Sequence, residues 1–186
     1  MEYWCYLPLF MRSGHLLAGI VLKLKPKKLS IMPFGVSITF EEYKGIKKTN
    51  LKKILIALAG PLTNLLIVAI TYFFNINLLQ ISRETIIYSN ILICVFNLIP
   101  IYPLDGGRVL RYLLNILIGA KRSMEITNII SNTLIILLTV STSIMILYIH
   151  NFAFIFILIY LWYLVIKENK AYRLRKRVYE IVEKNM

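Results

Sequence analysis

The sequence predicts an all-α membrane protein: a multi-pass bundle of transmembrane helices with a small β-hairpin insertion near residues 29–40. Three observations lead to this fold class. First, 58% of the 186 residues are hydrophobic, and the mean hydropathy is +0.69. Second, several apolar runs are long enough to cross a bilayer. Third, the basic residues occur in short blocks between these runs, as the positive-inside rule describes.

The apolar runs give the order of the elements along the chain. Residues 1–23 are apolar but are interrupted by Arg12 and His15, and they make a poor spanning helix. The segments predicted to enter the membrane are residues 54–74, 85–99, 109–118, 126–149 and 152–166. By length we expect one membrane domain over residues 1–166, followed by a basic cytosolic tail over residues 167–186 whose pattern predicts an amphipathic helix.

The segment between the first two basic blocks has a different periodicity. Leu29, Ile31, Val36, Ile38 and Phe40 fall largely at alternate positions around a proline and a glycine. Alternation of this kind is typical of a half-buried strand, so the segment predicts a short hairpin or a bent strand.

The charge pattern predicts the membrane topology and limits the classes of partner that the chain can bind. The basic blocks at residues 23–53, 121–122 and 167–184 fall on one side of the membrane, which places them in the cytosol. The net charge of +13 does not predict a nucleic-acid partner, because no aromatic-basic groove or recognition motif accompanies it. Two cysteines are too few for a disulfide framework. We expect no cleavable signal peptide, since the first apolar stretch lacks a basic n-region and a small-residue cleavage site.

The run from Asn97 to Arg108 carries the main chemical signal. Its Asp105 follows an apolar run, where a carboxylate costs roughly 2.5–3.5 kcal/mol on insertion scales and usually marks function. Pro100 and Pro103 break the helix, and the two glycines after Asp105 allow a sharp turn or a close approach. The alternative is a loop at the membrane edge with a solvated Asp105. A buried, ionised aspartate needs a cation partner.

Three candidates could supply the cation beside Asp105. They are Arg108, Arg111, and a bound Zn²⁺ with His15 as a second ligand. A single histidine on an apolar stretch is more often a packed or surface residue than a ligand.

A set of motifs, taken in its order along the chain, favours the interpretation of His15 as a zinc ligand. It consists of Gly14-His15, Met32-Pro33-Phe34-Gly35, Gly60-Pro61-Leu62-Thr63-Asn64 and the run from Asn97 to Arg108. This set resembles the site-2 protease family of intramembrane zinc metalloproteases, peptidase family M50. It is most similar to the branch of the stage IV sporulation protease, which cleaves a membrane-bound pro-sigma factor.

The resemblance implies a zinc site and its ligands. Members of the family carry His-Glu-x-x-His on a membrane helix, where both histidines bind zinc and the glutamate activates a water. By match, His15 is the second histidine ligand and Asp105 the third ligand. Asn97 and Asn64 match positions near the site and are candidate substrate-binding residues; helix–helix hydrogen bonding is the alternative for Asn97. The hairpin would add a substrate strand by edge pairing, or act as a structural flap.

The sequence departs from the family at two positions. Met11 and Arg12 stand where the first histidine and the glutamate belong. A thioether replaces an imidazole poorly for zinc, and a guanidinium stays protonated and is no base. The chain as written should therefore hold zinc weakly and should not hydrolyse peptides. Glu2, Glu41 and Glu42 have no spacing that would let them substitute.

A shifted reading frame offers one explanation for the departure. When each codon's third base is read with the next codon's first two, Phe10-Met11 permits His and Met11-Arg12 permits Glu. We therefore hypothesise that residues 1–13 derive from a frameshifted or misassigned start.

Three functions follow as hypotheses. The first is an intramembrane zinc metalloprotease that cleaves a membrane-associated substrate such as a pro-sigma factor, with activity impaired in this chain. The second is a non-catalytic membrane relative that binds clients or partners. The third is a small transporter, which the lack of an inverted repeat disfavours. The expected partners are the lipid bilayer, a membrane-tethered substrate and membrane inhibitor proteins.

Overall fold

The structure is a computed structural model, which describes residues 7–22, 26–32, 35–40, 46–74, 82–149 and 153–184. The elements are α1 (Leu7–Val21), β1 (Pro26–Met32), β2 (Gly35–Phe40), α2 (Ile46–Phe74), α3 (Arg83–Leu98), α4 (Asp105–Ile118), α5 (Ala120–Ile149) and α6 (Ala153–Lys184). They form two compact units, Met1–Ile99 and Pro100–Met186. The single membrane domain predicted over residues 1–166 thus contains a division after Ile99.

In the first unit, α2 packs against both α1 and α3. Lys52 of α2 donates from Nζ to the carbonyl oxygen of Leu22, 3.2 Å away, at the C-terminal end of α1. A cation is favoured there, because the last carbonyls of a helix carry partial negative charge. Pro61 lies inside α2 and removes the hydrogen bond to the carbonyl of Ala57. Cys94 of α3 contacts the carbonyl oxygen of Pro61, with its Sγ at 3.6 Å.

α2 buries several polar side chains and exposes many large apolar ones. Its buried positions include Thr49, Asn50, Asn64 and Thr71 beside Ile54, Ile56 and Ala57, whereas its exposed positions include large apolar side chains. These exposed side chains are Leu51, Leu55, Leu62, Leu65, Leu66, Ile70, Phe73 and Phe74. In water, such a continuous apolar surface would have to be covered by another element or a partner. A lipid environment accepts it, because lipid tails are as apolar as leucine.

A two-stranded antiparallel sheet follows α1. β1 pairs with β2 so that Leu29 faces Ile38 and Ile31 faces Val36, with an irregularity near Lys28. This sheet occupies the segment for which the sequence predicts a hairpin or bent strand. The connecting residues 33–34 lie outside the described part of the chain.

In the second unit, α5 packs against α4 and α6. Gly119 ends α4 with a φ of 83°, a conformation that other residues rarely adopt. Hydrogen bonds join α5 to α6: Trp162 donates from Nε1 to Oγ1 of Thr139 at 3.1 Å, and Asn169 donates from Nδ2 to Oδ1 of Asn132 at 2.9 Å. Polar pairs of this kind hold helices together where both outer surfaces are apolar.

The helices agree with the predicted apolar segments in place but differ in length. In the part of the chain that the structure describes, two stretches are long and apolar enough to span a membrane, Thr49–Phe74 and Ala120–Ile146. α2 begins at Ile46, eight residues before the predicted start at residue 54, because lysines are good helix formers. α6 continues through the basic segment to Lys184, so the tail predicted from residue 167 is helical and continuous with the preceding apolar segment.

Candidate metal and substrate site

His15 lies on α1 and points its ring at α2. Its Nδ1 is 2.7 Å from the carbonyl oxygen of Ile56. Because a carbonyl oxygen only accepts hydrogen bonds, Nδ1 carries the proton in the neutral imidazole. The lone pair is then on Nε2, and a hydrogen bond from the other ring nitrogen to a backbone carbonyl is the usual arrangement for a metal-binding histidine.

Two glycines allow α1 and α2 to approach closely around this ring. A Cβ on Gly60 would lie 2.2 Å from Nε2 of His15. A Cβ on Gly14 would lie 2.3 Å from Cγ2 of Thr63. Thr63 is fixed in turn, since its hydroxyl donates to the carbonyl oxygen of Gly60 at 2.6 Å. The Gly14-His15 pair and the Gly60-Pro61 pair, which the sequence analysis singled out as separate motifs, are therefore in contact.

Met11 and Arg12 occupy the preceding turn of α1. Met11 lies four residues before His15, so both share one helix face, and it is 7% exposed. Positions 11 and 15 thus share one face of α1, as the predicted zinc-binding motif requires. Position 11, however, carries a thioether in place of an imidazole. The side chain of Arg12 lies outside the described part of the structure. Among the described residues, no group of three His, Cys, Asp or Glu side chains could hold a metal ion.

Asp105 is the first residue of α4 and is 6% exposed. The helix before it ends at Leu98, and the intervening loop contains Pro100 and Pro103. In this loop the amide of Leu104 donates to the carbonyl of Ile101 at 2.8 Å. A carboxylate at this position is stabilised by the positive end of the helix dipole.

The structure distinguishes among the cations proposed for Asp105. Nη1 of Arg108 lies 3.8 Å from Oδ1 of Asp105, one turn along α4. The Arg108 side chain is 41% exposed, so this ion pair is long and partly solvated. Arg111 instead binds Glu168 of α6, with Nη1 3.0 Å from Oε1. Of the two arginines, Arg108 is thus the one that pairs with Asp105.

The loop before Asp105 is held against α4 and α5. A Cβ on Gly107 would lie 2.4 Å from the backbone of Ile101 and of Tyr102, so only glycine fits there. Ile101 is fully buried. The amide of Tyr102 donates to Oγ of Ser131 at 2.9 Å, and Ser131 itself donates to the carbonyl of Thr127 at 2.8 Å.

Arg111 links this loop to α6. Its guanidinium lies 4.5 Å from the centroid of the Tyr102 ring, within the range of a cation–π contact. Glu168 accepts from Arg111 and also from Arg175, the latter at 3.1 Å. Ser123 donates to the carbonyl of Arg111 at 2.6 Å. Glu168, Ser123 and Ser131 were not predicted from the sequence, although hydroxyls recur at every fourth position from Ser123 to Ser131.

The two candidate substrate-binding asparagines are both on helices. Asn97 is partly buried and donates from Nδ2 to the carbonyl of Ile93, in its own helix, at 2.8 Å. Asn64 is fully buried, and neither its Nδ2 nor its Oδ1 has a hydrogen-bond partner among the described residues. Substrate binding by either residue stays a prediction. His15 belongs to the first unit and Asp105 to the second, and a metal bound by both also stays a prediction.

Comparisons with known proteins agree with these observations. The model of peptidase family M50 matches residues 77–141, which include Asn97 and Asp105 but not His15. The chain is 29% identical over 133 residues to "Zinc metalloprotease MJ0392" of Methanocaldococcus jannaschii, covering 67% of this chain and 37% of that protein. It is 28% identical over 99 residues to "Stage IV sporulation protein FB" of Bacillus subtilis, covering 52% and 34%.

A second archaeal relative and a solved structure extend the comparison. "Putative zinc metalloprotease MJ0611" of M. jannaschii is 33% identical over 105 residues, covering 52% of this chain and 51% of that protein. The chain thus spans about a third to a half of the length of the curated relatives it matches. The solved site-2 protease from M. jannaschii has the same fold, with a TM-score of 0.63, 24% identity, and coverage of 88% of this chain and 74% of that one. The family model and the curated relatives support the resemblance of this chain to the site-2 protease family, peptidase family M50, and the solved structure shows that it shares the fold.

Proposed function

We propose that this chain is a multi-pass intramembrane metalloprotease homologue of the site-2 type that engages a membrane-associated substrate. We further propose that, as written, it holds zinc weakly and does not hydrolyse peptides. The observation that carries this second part is Met11, which is buried one turn before His15 on the same face of α1. A thioether there removes one zinc ligand from the site.

The membrane assignment is supported by the buried polar and exposed apolar side chains of α2 and α5. α5 buries Ser123, Thr127 and Ser131, and it exposes Ile136, Leu137 and Val140. Helices α3, α4 and α6 complete the proposed multi-pass bundle, and the basic segments would face the cytosol. The proposed surroundings are therefore the lipid bilayer and a substrate tethered to it, such as a pro-sigma factor. Membrane inhibitor proteins are further proposed partners.

His15 and Asp105 are the proposed zinc ligands in this chain. A bound zinc would polarise a peptide carbonyl and lower the pKa of a water. The carbonyl of Ile56 orients the His15 ring, and Arg108 lies beside the Asp105 carboxylate. We propose that Asn97 holds the substrate or the developing oxyanion, and that the β1–β2 sheet pairs with an extended substrate segment.

A non-catalytic role in the membrane is the second candidate. Met11 and Arg12 favour it, because both the first zinc ligand and the general base are replaced. Such a protein would bind a membrane-tethered client without cleaving it. The shifted-frame hypothesis for residues 1–13 bears on the choice, and reading the DNA upstream of the Gly14 codon would decide it. His and Glu codons in the alternative frame would restore the protease.

The test restores the missing residues. A Met11→His, Arg12→Glu variant and the unmutated chain are each incubated with a membrane-tethered pro-sigma reporter, and cleavage is followed by gel. We expect cleavage by the double variant only, and none with Met11→His, Arg12→Gln, which restores the ligand but not the base. Cleavage by the unmutated chain that a chelator abolishes would contradict the proposed loss of activity. Reporter that copurifies uncleaved with the unmutated chain would favour the non-catalytic role.

A further inference from the structure

One face of α2 meets the imidazole of His15 at two successive turns. At the first turn the carbonyl oxygen of Ile56 lies 2.7 Å from Nδ1. At the next turn, four residues later, the three atoms nearest to a Cβ on Gly60 would all belong to the ring, at 2.2, 2.5 and 3.0 Å. The first is Nε2, and the others are Cε1 and Cδ2. The ring therefore lies along α2, with Nδ1 toward Ile56 and Nε2 over Gly60.

The face of α2 that meets the ring continues to Asn64. Positions 56, 60 and 64 share one helix face, one turn of about 5.4 Å apart. Asn64 is fully buried, and both of its amide atoms lack a partner among the described residues.

We propose that Ile56 and Gly60 form an imidazole seat that holds His15 in a single tautomer and rotamer, with Gly60 as the positioning residue. The carbonyl of Ile56 keeps the proton on Nδ1, and the missing Cβ of Gly60 leaves room for the ring. The purpose of the seat rests on the proposed function, since a zinc ligand needs one fixed tautomer. The existence of the seat does not depend on a metal.

Gly14 shows that the seat is distinct from ordinary helix packing. A Cβ on Gly14 would meet Thr63 and the carbonyl oxygen of Ala59, and the three nearest atoms include none from the ring. Gly14 therefore sets the distance between α1 and α2, whereas Gly60 makes room for one side chain. The two glycines should respond differently when that side chain is removed.

The first experiment is a double-mutant cycle on the full chain in detergent, without metal. Gly60→Ala should lower the Tm in the native background, because the added methyl group displaces the ring. In a His15→Ala background the same change should lower the Tm much less, since the ring is gone and only the contact of the alanine Cβ with Pro61 remains. Gly14→Ala is the matched control and should lower the Tm in both backgrounds. An equal loss for Gly60→Ala in both backgrounds would overturn the seat.

The second experiment needs no substitution in the seat. The sequence has two histidines, so His150→Gln leaves His15 as the single source of ¹⁵N-histidine signals. With the imidazole in its neutral form, metal-free protein should show a protonated Nδ1 and an unprotonated Nε2. A protonated Nε2, or a mixture of tautomers, would overturn the proposal even if the glycine variants fail to fold.

Adding zinc to the same sample separates this inference from the proposed function. A shift of the Nε2 resonance on zinc addition supports His15 as a ligand. An Nδ1-protonated ring that zinc leaves unchanged would keep the seat and remove His15 from the metal site. A ring without the expected tautomer that still responds to zinc would keep the ligand and remove the seat.

Discussion

His15 and Asp105 are held in place by different kinds of interaction. His15 is fixed by a backbone oxygen and by the absent Cβ of a glycine, neither of which depends on a polar side chain from α2. The loop before Asp105 is fixed by a chain of side chains, in which Ser131 binds the backbone of Tyr102 and Arg111 lies over its ring. The first arrangement is steric, and the second is mainly polar.

The difference predicts how each region responds to substitution. Close approach of backbone or ring to a glycine tolerates no added atom, because packed interiors have little room to relax. Polar contacts tolerate changes of size but not the loss of a donor or acceptor that is buried. Gly107, in the region around Asp105, is also approached closely by backbone atoms, so an added atom is not tolerated there either. Its replacement gives the largest expected loss of stability.

Replacing Gly107 by alanine should destabilise the chain most. Its Cβ would lie 2.4 Å from the backbone atoms of Ile101 and Tyr102, which cannot rotate away as a side chain can. We expect a loss of about 3 kcal/mol in the free energy of unfolding, at the upper end for overpacking. Denaturant titration in detergent measures it. Gly60→Ala is the comparison, since a ring is the obstacle there, and a larger loss for Gly60→Ala would reverse the expected order.

Ser131→Ala tests the polar contact to the same loop. The variant leaves the amide of Tyr102 without its acceptor at a site where Ser131 is 3% exposed. We expect a loss of roughly 1–3 kcal/mol, the cost of an unsatisfied buried donor. Ser143→Ala is the matched control, because Ser143 makes the same bond to the preceding turn of α5 but is exposed. Equal losses for the two serines would show that the bond to Tyr102 contributes nothing.

Asn64→Leu should change stability in the opposite direction. A fully buried amide whose two polar atoms have no partner in the described part of the chain carries an unfavourable desolvation cost, so an apolar residue of similar size should stabilise the metal-free chain by about 1 kcal/mol. Asn90→Leu is the control, since Asn90 is equally buried and its Oδ1 also has no partner among the described residues, but its Nδ2 donates to the carbonyl of Ile86 at 2.8 Å. Unfolding is followed by tryptophan fluorescence. If Asn64→Leu destabilises the chain as much as Asn90→Leu does, the Asn64 amide has a partner.

Changes at Glu168 should have the smallest effect. Glu168→Gln weakens the ion pairs to Arg111 and Arg175, and ion pairs at partly exposed positions contribute about 1 kcal/mol or less. Arg111→Ala should cost more than Arg175→Ala, because Arg111 is less exposed and also lies over Tyr102. The cost of Glu168→Gln should fall in high salt. If high salt leaves the cost of Glu168→Gln unchanged, the loss comes from packing and not from the ion pairs.

The sequence predicted the parts of this molecule that depend on local pattern. The apolar runs located the helices, and Pro100 and Pro103 located the break before Asp105. The alternation of Leu29 to Phe40 located the two strands. Each of these features is set by residues within a few positions of one another.

The contacts that the sequence could not predict join distant positions. Ile56 accepts the hydrogen bond from His15 with its backbone carbonyl. Because every residue type has that carbonyl, the sequence does not reveal the contact. Glu168 lies 57 positions after Arg111, and nothing local distinguishes it from the other charged residues of the tail. The helical state of the basic segment was predicted, but its continuity with the preceding apolar segment in α6 was missed, since the change in composition near residue 167 indicated a boundary.

Zinc content tests the central claim most directly. The unmutated chain, the Met11→His, Arg12→Glu variant, and that variant with Asp105→Ala are purified and their bound zinc is measured by mass spectrometry. We predict well below one zinc per chain for the unmutated protein, close to one for the double variant, and a loss of that zinc on Asp105→Ala. One tightly bound zinc per unmutated chain, or zinc in the double variant that survives Asp105→Ala, would contradict the account.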